Sequence, residues 1–357
     1  LRMPHKIPGI EIPDSVYRIP KNYSGVVIVS DIDRTYLNTE IHSIGGLLKT
    51  AFERPERKSN VPGFSLLLRA LRRGATDDPQ KSPLFFLSAS PPQIGATLRS
   101  KMEFDGIEHE GLILKDQLRH VRSGEFKKLK EQLGYKLGAL LSLWYFLPKT
   151  ARLVLFGDDS ESDAIVFTIF SLVSSGQLSG KALYELLLHL GVYRQEAIHV
   201  AWLSRQFEKT PSHPILAAFI NLDLNLAPTV FGSYAPFFYA TENTMQAAAV
   251  AYENGMIRMK AFVSIAREFL LRYDWSSTEI EEALLTGCRK YLYSKKTALE
   301  ISGALLGAEI LHHPLEKSTL FFDIEKTLKN YLPRSWGAEP PRHSLEDWKK
   351  ILKPKSY

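Results

Sequence analysis

The sequence contains a single cysteine, Cys288, among 357 residues. One thiol cannot form an internal disulfide, which excludes a fold that depends on cross-links within the chain. Leu284 and Leu292 lie four residues to either side of Cys288, the spacing of one helix face. We therefore expect Cys288 to pack in a core, and this use of cysteine fits a cytoplasmic protein.

Long apolar runs are also missing. The run 137–147 is too short to cross a bilayer, and the run 214–240 is broken by prolines and polar residues. The first fifteen residues lack the apolar stretch of a signal peptide, so we expect none. No fixed-period repeat and no low-complexity tract is present. Any contact with a membrane is therefore expected to be peripheral.

The charge balance is mildly basic, with a net charge of +6 and a sequence pI of about 9.1. Such a surplus favours anionic partners such as a phosphorylated metabolite or a lipid head group, although a lysine-rich solvated surface is the simpler interpretation. Nucleic acid is not an expected partner, because no basic stripe with interleaved aromatic residues occurs. The sequence does not indicate an oligomeric state.

Strand and helix patterns alternate in the first half of the chain. Apolar runs at 26–30, 84–87 and 152–156 predict strands that are buried on both faces. Segments 64–72 and 125–147 carry apolar residues at helical spacing between these runs. This alternation indicates an α/β fold with a parallel sheet. Ligands of such sheets bind outside the carboxyl ends of the strands.

Helical patterns dominate after about residue 170. Ser179 is a predicted N-cap, and Ser276 with Glu279 has the spacing of a capping box. We predict four parts along the chain: an extended lead-in at 1–24, a catalytic domain at 25–174, a helical domain or extension at 175–330 and a C-terminal tail at 331–357.

Acidic residues follow two of the predicted strands. Asp31 and Asp33 come after the run 26–30, and Asp158 and Asp163 come after the run 152–156. Partly buried carboxylates raise each other's pKa values, and a hard divalent cation removes this conflict. Mg²⁺ prefers oxygen ligands, so the sequence predicts a Mg²⁺ site at this edge of the sheet.

The same residues suit phosphoryl transfer. With a phosphoryl group in place, Asp31 can attack phosphorus, and Asp33 can protonate the leaving oxygen and then activate water. Ser88, which follows the second strand, can bind a phosphoryl oxygen. A lysine can neutralise the charge that spreads over the phosphoryl oxygens.

Four motifs in order, SDIDRT, FFLSAS, YKLGALL and FGDDSESD, resemble those of the haloacid dehalogenase (HAD) superfamily. That resemblance implies a HAD-like Rossmannoid parallel sheet with a small insertion after the first motif, followed here by an α-helical C-terminal region. The runs KTAFERPE, VPGF and GLILKD extend the similarity to the catalytic domain of actin-patch-type phosphatidate phosphatases and their bacterial relatives. It covers roughly residues 25–170.

The resemblance implies hydrolysis of a phosphomonoester, with phosphatidate or a related lipid phosphate as the substrate. Three positions depart from the family pattern: Arg34 replaces an acidic residue, Tyr135 replaces a histidine and Asp159 replaces a serine. The resemblance implies that Asp31 is the nucleophile and a metal ligand, and that Asp33 is the acid/base and binds the metal through its backbone carbonyl. It implies that Thr35 shapes the loop and that Ser88 and Lys136 bind the phosphoryl group. Asp158 would bind the metal, with Asp159 as a competing ligand and Asp163 in support.

Several alternatives stay open at this point. Ser88 can instead cap the following helix, with Ser90 sharing either role, and Lys128 competes with Lys136 as the phosphate-binding lysine. Arg34 either reaches a second anionic group of the substrate or faces solvent. Two other functions also fit the sequence: a HAD phosphatase for a soluble phosphate ester or phosphoprotein, and a non-enzymatic scaffold that binds a protein through its helical half.

Overall fold

The computed structural model describes residues 10–38, 60–76, 81–115, 125–159, 162–222, 238–315 and 340–352, and only the backbone of 125–131. Its strands are β1 (Val26–Ser30), β2 (Leu84–Ser88), β3 (Gly111–Leu114), β4 (Arg152–Asp158), β5 (Ile215–Asn221) and β6 (Phe238–Thr241). They form one parallel sheet in the order β3-β2-β1-β4-β5-β6. The predicted α/β fold with a parallel sheet is confirmed.

Helices accompany the strands along the described chain. They are α1 (Phe64–Arg73), α2 (Gly95–Phe104), α3 (Glu125–Phe146), α4 (Asp163–Ser174), α5 (Gly180–His189), α6 (Arg194–Ser204), α7 (Thr244–Glu253), α8 (Met259–Arg272), α9 (Ser277–Arg289), α10 (Lys295–Gly307) and α11 (Leu345–Ile351). Short 3-10 helices lie at Asp14–Arg18 and Pro92–Ile94. None of the described helices is both long and apolar enough to cross a membrane.

Two hydrophobic cores lie on opposite faces of the sheet, because successive strand residues point to opposite sides. Val27 and Val29 of β1 pack into one core with α3 to α6 and α11. Ile28 packs into the other with α1, α2 and α7 to α10. The strands are thus covered on both faces, which explains why their sequences are continuously apolar.

The sheet continues beyond residue 174. The predicted helical region 175–330 contains helices α5 to α10, as expected, but it also contains β5 and β6, which the sequence patterns did not predict. The β5 sequence ILAAFIN includes two alanines, which favour strands weakly, and β6 has only four residues. Neither segment therefore carries a clear period-2 signal. The boundaries of the predicted catalytic domain stay predictions.

Local predictions in the C-terminal part have mixed outcomes. Cys288 is buried as predicted, and burial raises the pKa of its thiol to about 11. The capping box of Ser276 and Glu279 is present. Ser179 is the N-cap residue of α5 as predicted, but its hydroxyl donates to Glu208 and makes no capping hydrogen bond to the helix. The predicted tail at 331–357 includes a helix, α11, whose Trp348 is buried in the core.

A partly buried cluster of polar residues lies where the insertion after the first motif begins and ends. Leu37 and Asn60 form an antiparallel bridge, and the Val61 amide donates to the Tyr36 carbonyl at 3.0 Å. The Tyr36 hydroxyl and the Asn60 amide both donate to Asp105 Oδ2, and Lys101 Nζ donates to Asp105 Oδ1 at 2.7 Å. We call Tyr36, Asn60, Lys101 and Asp105 the Asp105 cluster. Most of the insertion itself, residues 39–59, lies outside the described residues.

Candidate active site

The ends of β1 and β4 bring the two acidic motifs together. These strands are neighbours in register, with Ser30 opposite Phe156, so their carboxyl ends coincide. Asp31 directly follows β1, and its amide donates to the Phe156 carbonyl at 2.9 Å. Asp158 is the last residue of β4. The chain order of the sheet also reverses between β1 and β4, which is where parallel sheets bind ligands.

Three carboxylates meet at this point. Asp31, Asp158 and Asp163 each offer an oxygen within 4.8 Å of the others. All three residues are almost fully buried, with 4%, 0% and 1% of their surface exposed. Within the described residues, the carboxylates of Asp33 and Asp159 do not join this group.

Lys136 lies between two of these carboxylates. Its side chain comes from α3, and the residue is 1% exposed. Lys136 Nζ lies 3.0 Å from Asp31 Oδ1 and 2.7 Å from Asp163 Oδ1. Lys136 thus lies beside the predicted metal ligands, and its role in phosphoryl binding stays a prediction, since the side chain of its rival Lys128 lies outside the described residues. We call Asp31, Lys136, Asp158 and Asp163 the acidic centre.

Asp163 holds the end of β4 as well as the lysine. It is the first residue of α4, where a negative charge is favoured by the helix dipole. Its Oδ2 accepts a hydrogen bond from the Asp158 amide at 3.3 Å, while Oδ1 contacts Lys136. A Cβ atom at Gly157 would lie 2.4 Å from Asp163 Cβ, so this close approach requires glycine. The geometry thus fits the supporting role expected for Asp163.

Asp33 faces the end of β2. Its Oδ2 lies 3.3 Å from the hydroxyls of both Ser88 and Ser90, and the Ser90 amide donates to Ser88 Oγ at 3.1 Å. Ser88 is fully buried, whereas Asp33 is half-buried. Two donors therefore hold the Asp33 carboxylate apart from the acidic centre. Ser88 and Ser90 thus share a contact with Asp33, and the predicted role of Ser88 in phosphoryl binding stays a prediction.

Arg34 and Thr35 form the turn after Asp33. Arg34 has a positive φ of 56°, and its amide donates to the Leu37 carbonyl at 2.8 Å. Asn221, the last residue of β5, donates its side-chain amide to the Arg34 carbonyl at 3.0 Å. Thr35 is 2% exposed and lines a cavity of about 10 Å³ together with Asn221. The role of Thr35 in shaping this loop stays a prediction.

Asn221 is a residue of this site that the sequence did not predict. An available signal was the pattern itself, because the apolar run of β5 ends in a polar residue as β1 and β4 do. The signal was lost when residues 175–330 were interpreted as helical. Asp159, predicted as a competing metal ligand, also meets Asn221, since the Asp159 amide donates to the Asn221 carbonyl at 3.0 Å.

A second lysine lies at the end of β3. Lys115 Nζ lies 3.7 Å from Glu196 Oε1 and 5.7 Å from the centre of the Tyr135 ring. Burial raises the pKa of Tyr135 well above its usual value, so the phenol stays neutral beside Lys136. Glu196 comes from α6 and packs directly against Gly134, where a Cβ would lie 2.3 Å from Glu196 Oε2. The sequence did not single out Glu196.

The acidic centre has a donor set that fits a divalent metal ion. Its four side chains sum to a formal charge of −2, with three negative charges from the aspartates and one positive charge from Lys136. Buried charges of one sign are unfavourable unless they are paired or bind a metal. A hard divalent cation with oxygen ligands would balance this charge. Asp31, Asp158 and Asp163 are therefore the residues that could hold a metal ion, whose identity the geometry does not specify.

Comparison with known families agrees with the site. Residues 26–178, less than half of the chain, match the family described as "Phosphatidate phosphatase APP1, catalytic domain". The match confirms the resemblance predicted from the motifs. It also confirms the predicted enzyme class, because a phosphatidate phosphatase is a phosphomonoester hydrolase. Comparisons with curated proteins and with solved structures found no match.

Proposed function

Because residues 26–178 match a phosphatidate phosphatase catalytic domain, we propose that the chain is a Mg²⁺-dependent phosphatase that uses Asp31 as its nucleophile. The observation that carries this proposal is the acidic centre, where three buried aspartates meet, a lysine contacts two of them, and the four side chains sum to a formal charge of −2. Such an imbalance is unfavourable for stability and is typical of a functional site.

Mg²⁺, bound by Asp31 and Asp158 with Asp163 in support, would supply positive charge to the phosphoryl oxygens. The protein's own contribution is positioning. Lys136 Nζ lies 3.0 Å from Asp31 Oδ1, a contact that orients this carboxylate for the attack on phosphorus. Lys136 also places a positive charge where negative charge develops during transfer.

The first chemical step forms a bond between an Asp31 oxygen and phosphorus and breaks the bond between phosphorus and the ester oxygen. Asp33, in its protonated form, gives its proton to the departing oxygen. The hydroxyls of Ser88 and Ser90 contact its Oδ2, which positions this carboxyl group for delivery of the proton.

The second step regenerates the enzyme. Asp33, now ionised, removes a proton from water as the water oxygen attacks phosphorus. The bond between phosphorus and Asp31 breaks, and inorganic phosphate is released. Asp33 thus serves as acid and then as base, and its position apart from the acidic centre suits a group that must exchange protons in each turnover.

Phosphatidate or a related lipid phosphate is the substrate class that the family match favours. Peripheral contact of the protein with a membrane belongs to the same proposal, because a lipid phosphate resides in a membrane. Arg34, like Thr35, is proposed to contact the substrate because it lies on the loop after Asp33, and Ser88 is proposed to do so because it ends β2 beside Asp33. Asp159 is proposed as an accessory residue of the metal site.

The test is phosphate release by the purified chain. The substrates are phosphatidate in mixed micelles, lysophosphatidate, sugar phosphates, nucleotides and phosphopeptides, each with Mg²⁺ or with a chelator. We expect Mg²⁺-dependent turnover that is highest on phosphatidate and is lost in Asp31→Asn. Preference for a soluble ester would retain the mechanism and change the substrate class. A folded, Mg²⁺-binding protein with no turnover on any of them would contradict the proposal.

A further inference from the structure

We infer that Asn221 is a positioning residue for Asp33, which extends the proposed function to a part of the chain outside the family match. Asn221 ends β5, more than forty residues beyond the matched segment 26–178. It pairs in register with Asp158 at the end of β4. The strand that carries Asn221 therefore ends at the same level as the acidic centre.

Asn221 connects the two acidic loops through two hydrogen bonds. Its side-chain amide donates to the Arg34 carbonyl at 3.0 Å, and its backbone carbonyl accepts from the Asp159 amide at 3.0 Å. The loop that carries Asp31 and Asp33 is thereby joined to the loop that carries Asp158 and Asp159.

The side-chain bond acts at the residue that immediately follows Asp33. Arg34 has a positive φ of 56°, a conformation that a non-glycine residue adopts only when its surroundings hold it there. The Asn221 bond fixes the peptide group between Arg34 and Thr35. Asp31 is fixed separately by β1, through its amide bond to Phe156, and by Lys136. Loss of the Asn221 amide should therefore release Asp33 more than Asp31.

This difference yields a chemical signature. An alkyl phosphate needs a proton on its departing oxygen, whereas a nitrophenyl phosphate has a stable leaving group and needs little help from an acid. If Asn221 positions Asp33, its removal slows the alkyl ester more than the nitrophenyl ester. A general loss of folded protein would slow both equally.

The experiment compares Asn221→Leu and Asn221→Ala with wild type, and the matched control is Asn254→Ala. Asn254 also donates its side-chain amide to a backbone carbonyl, that of Val250 at 2.8 Å, but at the end of α7. For Asn221→Leu we expect kcat on an alkyl phosphate to fall about 10- to 100-fold with little change in KM. The loss on nitrophenyl phosphate should be roughly tenfold smaller. The control should match wild type.

Hydrogen exchange of the peptide that contains residues 31–37 gives a readout without turnover. We expect faster exchange of its amides in both Asn221 variants and no change in Asn254→Ala. Wild-type exchange together with equal losses on the two esters would overturn the inference. If wild type hydrolyses neither ester, the proposed function fails, and the exchange data alone then decide whether Asn221 positions this loop.

Discussion

Two buried polar groups adjoin the loop after β1, and their charges are balanced differently. The Asp105 cluster contains one carboxylate and one ammonium, together with the neutral donors Tyr36 and Asn60. The acidic centre contains three carboxylates and one ammonium. One group thus sums to zero formal charge, and the other to −2.

The difference separates a structural from a functional role. A neutral, hydrogen-bonded group satisfies its members and stabilises the base of the insertion. A group with a formal charge of −2 lowers the stability of the metal-free chain, and a ligand of opposite charge would offset this cost. Each group contains one buried lysine, so lysine content does not identify the site. The summed formal charge does distinguish the two groups. It predicts opposite effects on stability when an aspartate is replaced in one group or in the other.

The largest expected effect is that of Asp31→Asn. Loss of the nucleophile should reduce phosphate release at least roughly 10³-fold, whereas removal of one excess charge should raise the thermal midpoint of the metal-free protein. Phosphate release and thermal unfolding in chelator measure the two effects. A variant that is both inactive and less stable would contradict the contrast between the two groups.

Asp105→Ala should act in the opposite direction. It leaves the Lys101 ammonium buried without its carboxylate, so we expect the free energy of unfolding to fall by about 3–5 kcal/mol. Activity per folded molecule should change little at a temperature well below unfolding. Urea unfolding measures the loss, and the double variant Lys101→Met with Asp105→Asn is the control, because it removes both charges together. Equal instability of the double variant would show that the charge pair is not the cause.

Metal binding should distinguish the two groups directly. At a concentration one hundred times its dissociation constant, Mg²⁺ should add about 2.7 kcal/mol to the stability of wild type. Asp158→Asn should weaken this gain, whereas Lys101→Met with Asp105→Asn should retain it. Thermal unfolding across a Mg²⁺ titration gives the answer. Retention of the full gain in Asp158→Asn would place the ion elsewhere.

The smallest effect concerns Tyr135 beside the acidic centre. Its hydroxyl has no hydrogen-bond partner among the described residues, so Tyr135→Phe should leave stability at pH 7 within about 1 kcal/mol of wild type. Burial raises the pKa of this phenol. Above about pH 10 the unfolded chain therefore loses the proton first, and wild-type stability falls as pH rises.

Tyr135→Phe removes that contribution, so the variant should lose less stability than wild type between pH 9.5 and 11, roughly the range around an ordinary phenol pKa. Urea unfolding at several alkaline pH values checks the sign. Tyr36→Phe is a useful comparison, because burial and the hydrogen bond to Asp105 also raise the pKa of Tyr36. That variant loses a buried hydrogen bond and should be less stable already at pH 7. Identical pH profiles for wild type and Tyr135→Phe would contradict the assignment.

Prediction from sequence succeeded where the signal is local. Asp31, Asp158 and Ser88 each end or follow an apolar strand, so the rule for parallel sheets places them at one edge. Lys136 followed from the resemblance to a known motif order. Asn221 and Glu196 contribute through contacts with residues that are distant in sequence. The Asp105 cluster likewise joins residues up to 69 positions apart. No local pattern marks these residues, because their role exists only after the chain has folded.

The sequence by itself determined the parallel α/β architecture, the order of the acidic motifs and the enzyme class. Buried strands and motifs can be recognised from short stretches of neighbouring residues. Only the tertiary structure decided which carboxylates share one lysine, that Asp33 stands apart from them, and that β5 brings Asn221 to the same edge. The physical reason is that charge compensation and hydrogen bonding depend on distances of about 3 Å between atoms, which packing of distant segments sets.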